Sequence, residues 1–287
     1  MIANKIVRKL GLNLNQAKDF GIVNPQEMGE KIPKIIHQTY FTRKLSPAIE
    51  ANIEKLKSQN PSWEYRFYDD EDIKEYIGKY FPEILGIYNK IKPKYGAARA
   101  DLFRYLVVYR EGGVYLDIKS TVSKPLDVML KPDDKFILAY WVFSHNPYSR
   151  HANIDDPNGE FQQWHIISVK GHPYLKAAIE NVCKNIRVYS ILFHDVGMMG
   201  VLNLTGPIAY SNAILPILNQ HEHRLGFDED FGLIYSIFGN DLGSHRALFK
   251  THYESLNESI VEEPKLVKLI LPIVYKLKIK IKNMIFS

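Results

Sequence analysis

The sequence predicts an α/β fold with a mostly parallel central sheet flanked by helices. Three observations predict it. Short apolar runs alternate with helical patterns, a Gly-Gly pair joins the most regular helix directly to a strand, and charged residues collect where strands end. Ligands of layered α/β folds bind at the carboxyl ends of such strands.

Residues 1–30 read as a peripheral lead-in. Ile32 to His37 (IPKIIH) is the first strand, a short apolar run after a turn-prone MGEK segment. Ser46-Pro47 opens a helix: Ser46 is a good N-cap, Pro47 suits the first helical position, and Ile49, Ile53 and Leu56 recur at helical spacing. Asn60-Pro61 marks a turn, and the alternating aromatics of WEYRFYDD form a second strand that ends in two aspartates, Asp70 capping the next helix. Ala97 to Glu111 has no interior Gly or Pro and is a helix, terminated by Gly112-Gly113. VYLDI follows as a strand, Lys135 to Phe143 as another, and helices are expected at Pro173 to Asn185 and Pro207 to Leu218.

Composition sets the outer limits. The 287 residues suit one large domain or two small ones, and 46% hydrophobic with 24% charged residues excludes a disordered or low-complexity chain. The single cysteine, Cys183, excludes an internal disulfide and a cysteine-based zinc site, fits a reducing compartment, and reads as a packing residue. The net charge of +5 sits in the tail: residues 265–287 hold six lysines and no acid, leaving 31 basic against 32 acidic groups in residues 1–264. A neutral body argues against a nucleic-acid partner, because phosphate binding leaves a basic stripe across the fold. No apolar run reaches the roughly 18 residues of a membrane span, and the first residues lack a signal-peptide core, so a cytoplasmic location is expected.

Common short motifs are missing: no Walker A loop, GxGxxG, HExxH, GxSxG or CxxC occurs. His221 and His223 read as solvated loop residues. The informative stretch is residues 95–121, YGAARADLFRYLVVYREGGVYLDIKST. On its helix, Asp101 and Arg104 share a face with Ala97, while Leu102, Leu106 and Tyr109 lie on another. On its strand, period-two alternation sends Tyr115, Asp117 and Lys119 one way and Leu116 and Ile118 the other. Taken alone, Asp101 with Arg104 is equally a surface pair worth about 0.3 kcal/mol, and Asp117 a turn cap.

The whole arrangement resembles the DXD-containing sugar transferases of glycosyltransferase family 32, relatives of the clostridial glucosylating toxins. IPKIIHQTY resembles the family's first strand, NPSWEYRFYDDED its second strand and following helix, AARADLFRYLVVYREGGVYLDIK its signature, and NLTGPIAYSNAI its Thr-Gly-Pro helix start. The resemblance implies a GT-A-type nucleotide-sugar-binding fold over residues 31–264, with 1–30 as lead-in and 265–287 as a basic amphipathic tail. It implies transfer of a hexose from a nucleotide sugar, UDP-linked on this reading, to a glycan or lipid-linked glycan acceptor with retention of configuration. Asp101 and Arg104 then hold the donor sugar and its phosphates, and Asp117 binds Mn²⁺ or Mg²⁺. His37, Gln38 and Tyr40 are candidates to touch the nucleobase, with a buried or turn-forming role equally open, and Tyr115 and Lys119 complete the donor-binding set. This chemistry needs fixed cations beside the departing phosphates and carboxylates near the sugar ring.

One departure stands out: the tripeptide is Asp117-Ile118-Lys119, so the family's second metal carboxylate is replaced by a lysine. Either a late group such as His245 or His252 completes the metal site, or Lys119, with Arg246 and Lys250 as further phosphate-gripping cations, supplies positive charge and the transferase works without metal. A non-catalytic sugar- or nucleotide-binding membrane adaptor is the alternative from another class. Residues Trp141 to Asn158 form a long loop suited to an acceptor sugar, with Trp141 and His145 as its test positions. In a helical projection of the tail the six lysines leave Leu266, Ile270, Ile273, Leu277, Ile281 and Met284 on an uncharged face. That is an interfacial pattern expected to hold the protein on the inner face of an anionic membrane.

Overall fold

The computed structural model describes residues 21–142, 149–239 and 256–262. The expectations placed on His145, His245, Arg246, Lys250, His252 and the tail 265–287 lie outside the described residues.

In chain order the elements are β1 (Ile35–Thr39), α1 (Pro47–Gln59), β2 (Glu64–Tyr68), α2 (Asp70–Tyr80), α3 (Pro82–Tyr88), α4 (Gly96–Glu111), β3 (Gly113–Leu116), β4 (Thr121–Val122), α5 (Leu126–Met129), β5 (Phe136–Tyr140), β6 (His165–Ser168), α6 (Pro173–Arg187), α7 (Ile191–His194), α8 (Gly197–Leu204), α9 (Pro207–Ile214), a 3₁₀ turn (Leu215–Gln220), β7 (Arg224–Phe227), α10 (Asp228–Phe231) and β8 (Leu233–Ile234). Six strands form the central sheet in the order β2-β1-β3-β6-β5-β7, and β4 pairs with β8 in a small second sheet. Within the large sheet β1 is parallel to β2 and β3, β5 is parallel to β7, and β6 runs antiparallel to both of its neighbours. Five strands therefore point one way and β6 alone points back, which is the mostly parallel α/β sheet the sequence predicted.

Helices cover both faces. Leu102, Leu106, Leu175, Ile179 and Tyr210, from α4, α6 and α9, pack with Tyr115 and Ile166 on one side of the sheet; Leu56, Leu126 and Met129, from α1 and α5, pack with Val114, Leu116 and Ile167 on the other. The lead-in is not peripheral where it is described. Ile22 and Val23 are buried, and their backbone amides donate to the Glu180 carboxylate on α6.

Several boundaries move for local reasons. The first strand starts at Ile35 and runs on to Thr39, because its parallel ladder with β2 continues through Thr39↔Tyr68. The cap of α2 is Asp69, one residue before the expected Asp70: the Asp69 carboxylate accepts from the amides of Glu71 and Asp72, and Asp72 returns a bond to the Asp69 amide. The α9 segment becomes 3₁₀ at Leu215, as Pro216 supplies no N–H. The strand VYLDI stops at Leu116. Beyond it the amide of Ser120 donates to the Asp117 carbonyl at 2.8 Å, so residues 117–120 form a turn and Lys119 does not follow the strand's alternation.

The sequence reading found no span-length apolar run, yet the stretch Gly197–Gln220 is long and apolar enough to cross a membrane by length and composition. More than half of it is buried inside the fold, as befits a core segment, and Gly206 interrupts it with extended backbone.

Candidate active site

Helix α4 and strand β3 build the site. All residues from Asp101 to Tyr109 on α4 are buried, so the helix has no solvated face; its polar residues turn inward instead. Gly112 ends the helix at φ 71° and Gly113 follows at φ 100°, a pair of left-handed residues that folds β3 straight back along α4. A side chain at Gly112 would place its Cβ 2.7 Å from Pro33 Cδ and 2.8 Å from the Lys170 amide nitrogen. This tight joint sets where Asp117 emerges relative to Asp101 and Arg104.

Arg104 is the hub. Its Nη2 lies 2.9 Å from Asp117 Oδ1 and 3.2 Å from Asp101 Oδ1. Its Nη1 donates to the Gln163 backbone carbonyl at 2.7 Å and to Gln163 Oε1 at 2.8 Å, and the guanidinium lies over the Tyr115 ring. Asp101 is fully engaged within the protein: Gln163 Nε2 donates to its Oδ1 at 3.0 Å and the Thr205 hydroxyl to its Oδ2 at 2.8 Å. Burial raises the Asp101 pKa, against the pull of Arg104, Gln163 and Thr205. Burial likewise opposes the Arg104 charge, but Asp117, Tyr115 and Asp101 outweigh it and the guanidinium is held ionised.

The antiparallel strand explains Gln163. Because β6 runs against β3, the residues entering β6 stand where β3 ends; the Asp117 amide donates to the Trp164 carbonyl at 2.8 Å, and Gln163 falls between Asp101 and Arg104. From the other side, Gln38 Nε2 donates to the Asp117 carbonyl at 3.1 Å while its Oε1 accepts from the Tyr65 hydroxyl. Tyr115 shares a hydrogen bond with Thr39 at 3.0 Å, and its hydroxyl lies 3.4 Å from Asp117 Oδ1.

The side chain of Asp117 is 25% exposed, whereas those of Asp101 and Arg104 are each 4% exposed. Without a donor present, Asp101 and Arg104 lie beneath Asp117 and pair with each other and with it. His37 takes the buried role that the sequence left open. It is buried with both ring nitrogens committed, Nε2 to the Gly112 carbonyl and Nδ1 to the Tyr68 hydroxyl, and burial lowers its pKa to about 4. It fastens the helix-to-strand joint. Tyr40, half-buried just after β1, packs its ring against Phe41, and Lys119 is buried with its Nζ 3.8 Å from the centre of the Tyr235 ring.

A divalent cation fits only in a limited way. Among the described residues no three metal-ligating side chains stand together. Asp117 is nevertheless a hard oxygen donor with one oxygen turned to Arg104 and part of its surface open. The three ionised groups sum to a net negative charge, so a diphosphate arriving there needs an added cation. One carboxylate plus substrate phosphates is a common way to hold Mg²⁺, and Asp117 suits that role rather than an all-protein cage.

Residues 46–137 match the family described as "glycosyltransferase sugar-binding region containing DXD motif". Over that stretch, a minority of the chain, the sequence is similar to the DXD glycosyltransferases. The matched region carries Asp101, Arg104 and Asp117 but ends before Gln163 and Thr205. An inositol phosphoceramide mannosyltransferase of Schizosaccharomyces pombe is 28% identical over 180 residues, covering 63% of this chain and 44% of its own length. A mannosyl phosphorylinositol ceramide synthase of Saccharomyces cerevisiae is 34% identical over 34% of this chain and 25% of its own. An initiation-specific α-1,6-mannosyltransferase of Candida albicans is 25% identical over 74% and 63% respectively. The chain spans about half the length of the first of these curated relatives. Among solved structures, the PaToxG glycosyltransferase aligns over 94% of both chains at 17% identity and a TM-score of 0.45.

Sequence reasoning missed three parts of this candidate site. Thr205 lay in the quoted Thr-Gly-Pro stretch without a role, Gln163 belongs to no motif, and His165 is buried on β6 with neither ring nitrogen hydrogen-bonded, its pKa lowered to about 3 by burial and by Arg104.

Proposed function

We propose that the chain is a nucleotide-sugar-dependent glycosyltransferase that moves a hexose onto a glycan or lipid-linked glycan acceptor. The observation that carries this reading is Arg104, buried between the carboxylates of Asp101 and Asp117 with only Asp117 reaching the surface. Buried ions are poor stabilisers compared with apolar groups of equal volume, so such a triad at a strand end calls for chemistry.

In the transfer, the bond between sugar and diphosphate breaks while positive character grows on the ring. Asp117 presents its open edge to the donor, and Arg104 fixes the orientation of that carboxylate. Asp101, Gln163 and Thr205 hold Arg104 in turn. A Mn²⁺ or Mg²⁺ ion held by Asp117 and the donor's phosphates would supply the positive charge the diphosphate needs on leaving. Mannose is the hexose we favour, on the printed activities of the relatives; UDP is the nucleotide of the sequence reading, and retention follows the family resemblance. The acceptor is a membrane glycan or glycolipid, reached from the inner face through the basic tail.

The test is nucleotide release from a panel of UDP- and GDP-linked hexoses by the full chain, with Mn²⁺ and with EDTA, beside Asp117→Ala. Release from one donor only with metal, abolished by the substitution, is expected. Release that survives EDTA transfers the electrophilic role to Lys119 and its neighbours. Binding of a donor with no turnover of any overturns the proposal in favour of an adaptor.

A further inference from the structure

Near Asp117, two aromatic rings from distant parts of the chain meet at a right angle. The Trp141 and Tyr235 ring centroids lie 5.1 Å apart with 86° between their planes. Trp141 follows β5 and Tyr235 follows β8. Trp141 packs with Trp164, Leu116 and Ile167 on the α1–α5 side of the sheet, whereas Asp101 and Arg104 come from α4 on the other side.

The aromatic corner is fastened to the turn that carries Asp117. The Ser120 hydroxyl donates to the Tyr235 carbonyl at 2.7 Å, and the Ile237 amide donates to the Lys119 carbonyl at 2.9 Å. Lys119 Nζ stands 3.8 Å from the centre of the Tyr235 ring, a cation–π contact that fixes it. Trp164, whose carbonyl accepts from the Asp117 amide, sets its own ring 5.5 Å from that of Tyr235. The corner therefore keeps a fixed place relative to Asp117.

Its environment is polar where simple packing would be apolar. Tyr235 is 38% exposed and Trp141 is half-buried. Trp141 Nε1 donates to Oε1 of the buried Glu160 at 3.1 Å, and His151 Nε2 lies 2.9 Å from Glu160 Oε2. A sunken ion pair is a weak source of stability; here its effect is one indole held in one orientation. The buried Trp164 Nε1 has no hydrogen-bond partner among the described residues.

We infer that Trp141 and Tyr235 form the platform on which a sugar ring of the acceptor stacks, with Glu160 as the residue that positions Trp141. A pyranose carries C–H groups on its faces and hydroxyls around its edge, and aromatic walls with a few polar groups beside them match that surface. The charged triad on the α4 side suits the donor's diphosphate, which leaves the aromatic corner to the acceptor. Assignment to an acceptor rests on the transferase reading.

The test reads sugar contact without a donor. Saturation transfer from the full chain to methyl α-D-mannopyranoside and methyl α-D-glucopyranoside is expected to be strongest at ring C–H protons. Binding is expected to weaken at least about ten-fold in Tyr235→Ala and in Trp141→Ala, and to survive in Tyr235→Phe, which keeps the ring. Glu160→Ala is expected to weaken it similarly, and Glu160→Gln, which still accepts from the indole, to keep it. Circular dichroism checks that each variant is folded. UDP or GDP with Mn²⁺ is expected to leave the signal in place. No signal from either sugar in the wild type, or equal signals in the two ring-deleting variants, overturns the inference. Full binding in Glu160→Ala overturns the role of Glu160. Displacement by a nucleotide hexose that the free nucleotide does not reproduce overturns the acceptor assignment in favour of the donor's own sugar. Nucleotide release from the donor panel is read separately: release without sugar contact overturns the platform and keeps the transferase, and sugar contact without release does the reverse.

Discussion

The Thr205 hydroxyl donates to Asp101 Oδ2 at 2.8 Å across 104 positions of sequence, and it joins the Thr-Gly-Pro stretch to the signature helix. The bond matters because Asp101 is buried and its pKa is raised by that burial. Each donor it accepts from works with Arg104 to favour its ionised form against that burial.

Thr205→Val, similar in volume but without the hydroxyl, is therefore expected to lower kcat/KM for the preferred donor about 10- to 100-fold, the worth of a hydrogen bond to a charged group. Thr205→Ser is expected to restore most of it. Equal loss in both variants would show that the methyl group rather than the hydroxyl matters.

Asp117→Asn removes the exposed charge while keeping shape. Donor turnover is expected to fall at least about 100-fold, and any stimulation by Mn²⁺ is expected to vanish with it. Thermal unfolding should move little, since the 25% exposed Asp117 side chain is the least buried member of the triad. A variant that keeps its Mn²⁺ response would place the cation elsewhere.

The glycine joint predicts a contrast in stability. Gly112→Ala meets φ 71° and a Cβ position 2.7 Å from Pro33 Cδ, and is expected to cost about 2–4 kcal/mol in urea unfolding. Gly86→Ala, inside α3 with nothing within 4 Å of the new Cβ, is expected to gain about 0.5–1 kcal/mol. Similar effects at the two sites would contradict the assigned geometry.

Acid is expected to destabilise the fold before its carboxylates titrate. Burial lowers the pKa values of His37 and His172 to about 4 and of His165 to about 3, from an ordinary 6.5. Between those values the unfolded chain binds protons that the native chain refuses. The stability these neutral histidines contribute is complete above pH 6.5 and is lost as the pH falls toward 4, at about 1–2 kcal/mol each by pH 5. His165→Leu, which removes two ring nitrogens without hydrogen-bond partners, is expected to flatten that slope and cost nothing at pH 7.5. An unchanged slope would assign the acid sensitivity to other groups.

Much of this was legible in the sequence where one local rule governs. Ser46-Pro47 starts α1 as read, and Gly112-Gly113 ends α4 because no other residue type suits φ 71° and 100° in so tight a space. Asp101, Arg104 and Asp117 were found as a group, and the structure brings them within hydrogen-bonding distance of Arg104. What stayed hidden depends on distant chain. Four-residue β6 carries no periodicity long enough to read, and its reversed direction, which no local pattern encodes, is what delivers Gln163. Lys119 was placed by extending strand alternation across a turn, and between the two roles left open for His37 its burial is what no local pattern encodes.

The two amides that Ile22 and Val23 give to Glu180 carry a consequence for where this polypeptide can be shortened. Glu180 is 2% exposed on α6, and Gln26 meanwhile holds the Tyr109 hydroxyl at the far end of α4. A protease that trimmed residues 21–30 would strip a sunken carboxylate of two donors and open a seam alongside the helix that carries Asp101. The amino-terminal segment acts as a stitch, and its removal would be felt across the whole thickness of one helical layer.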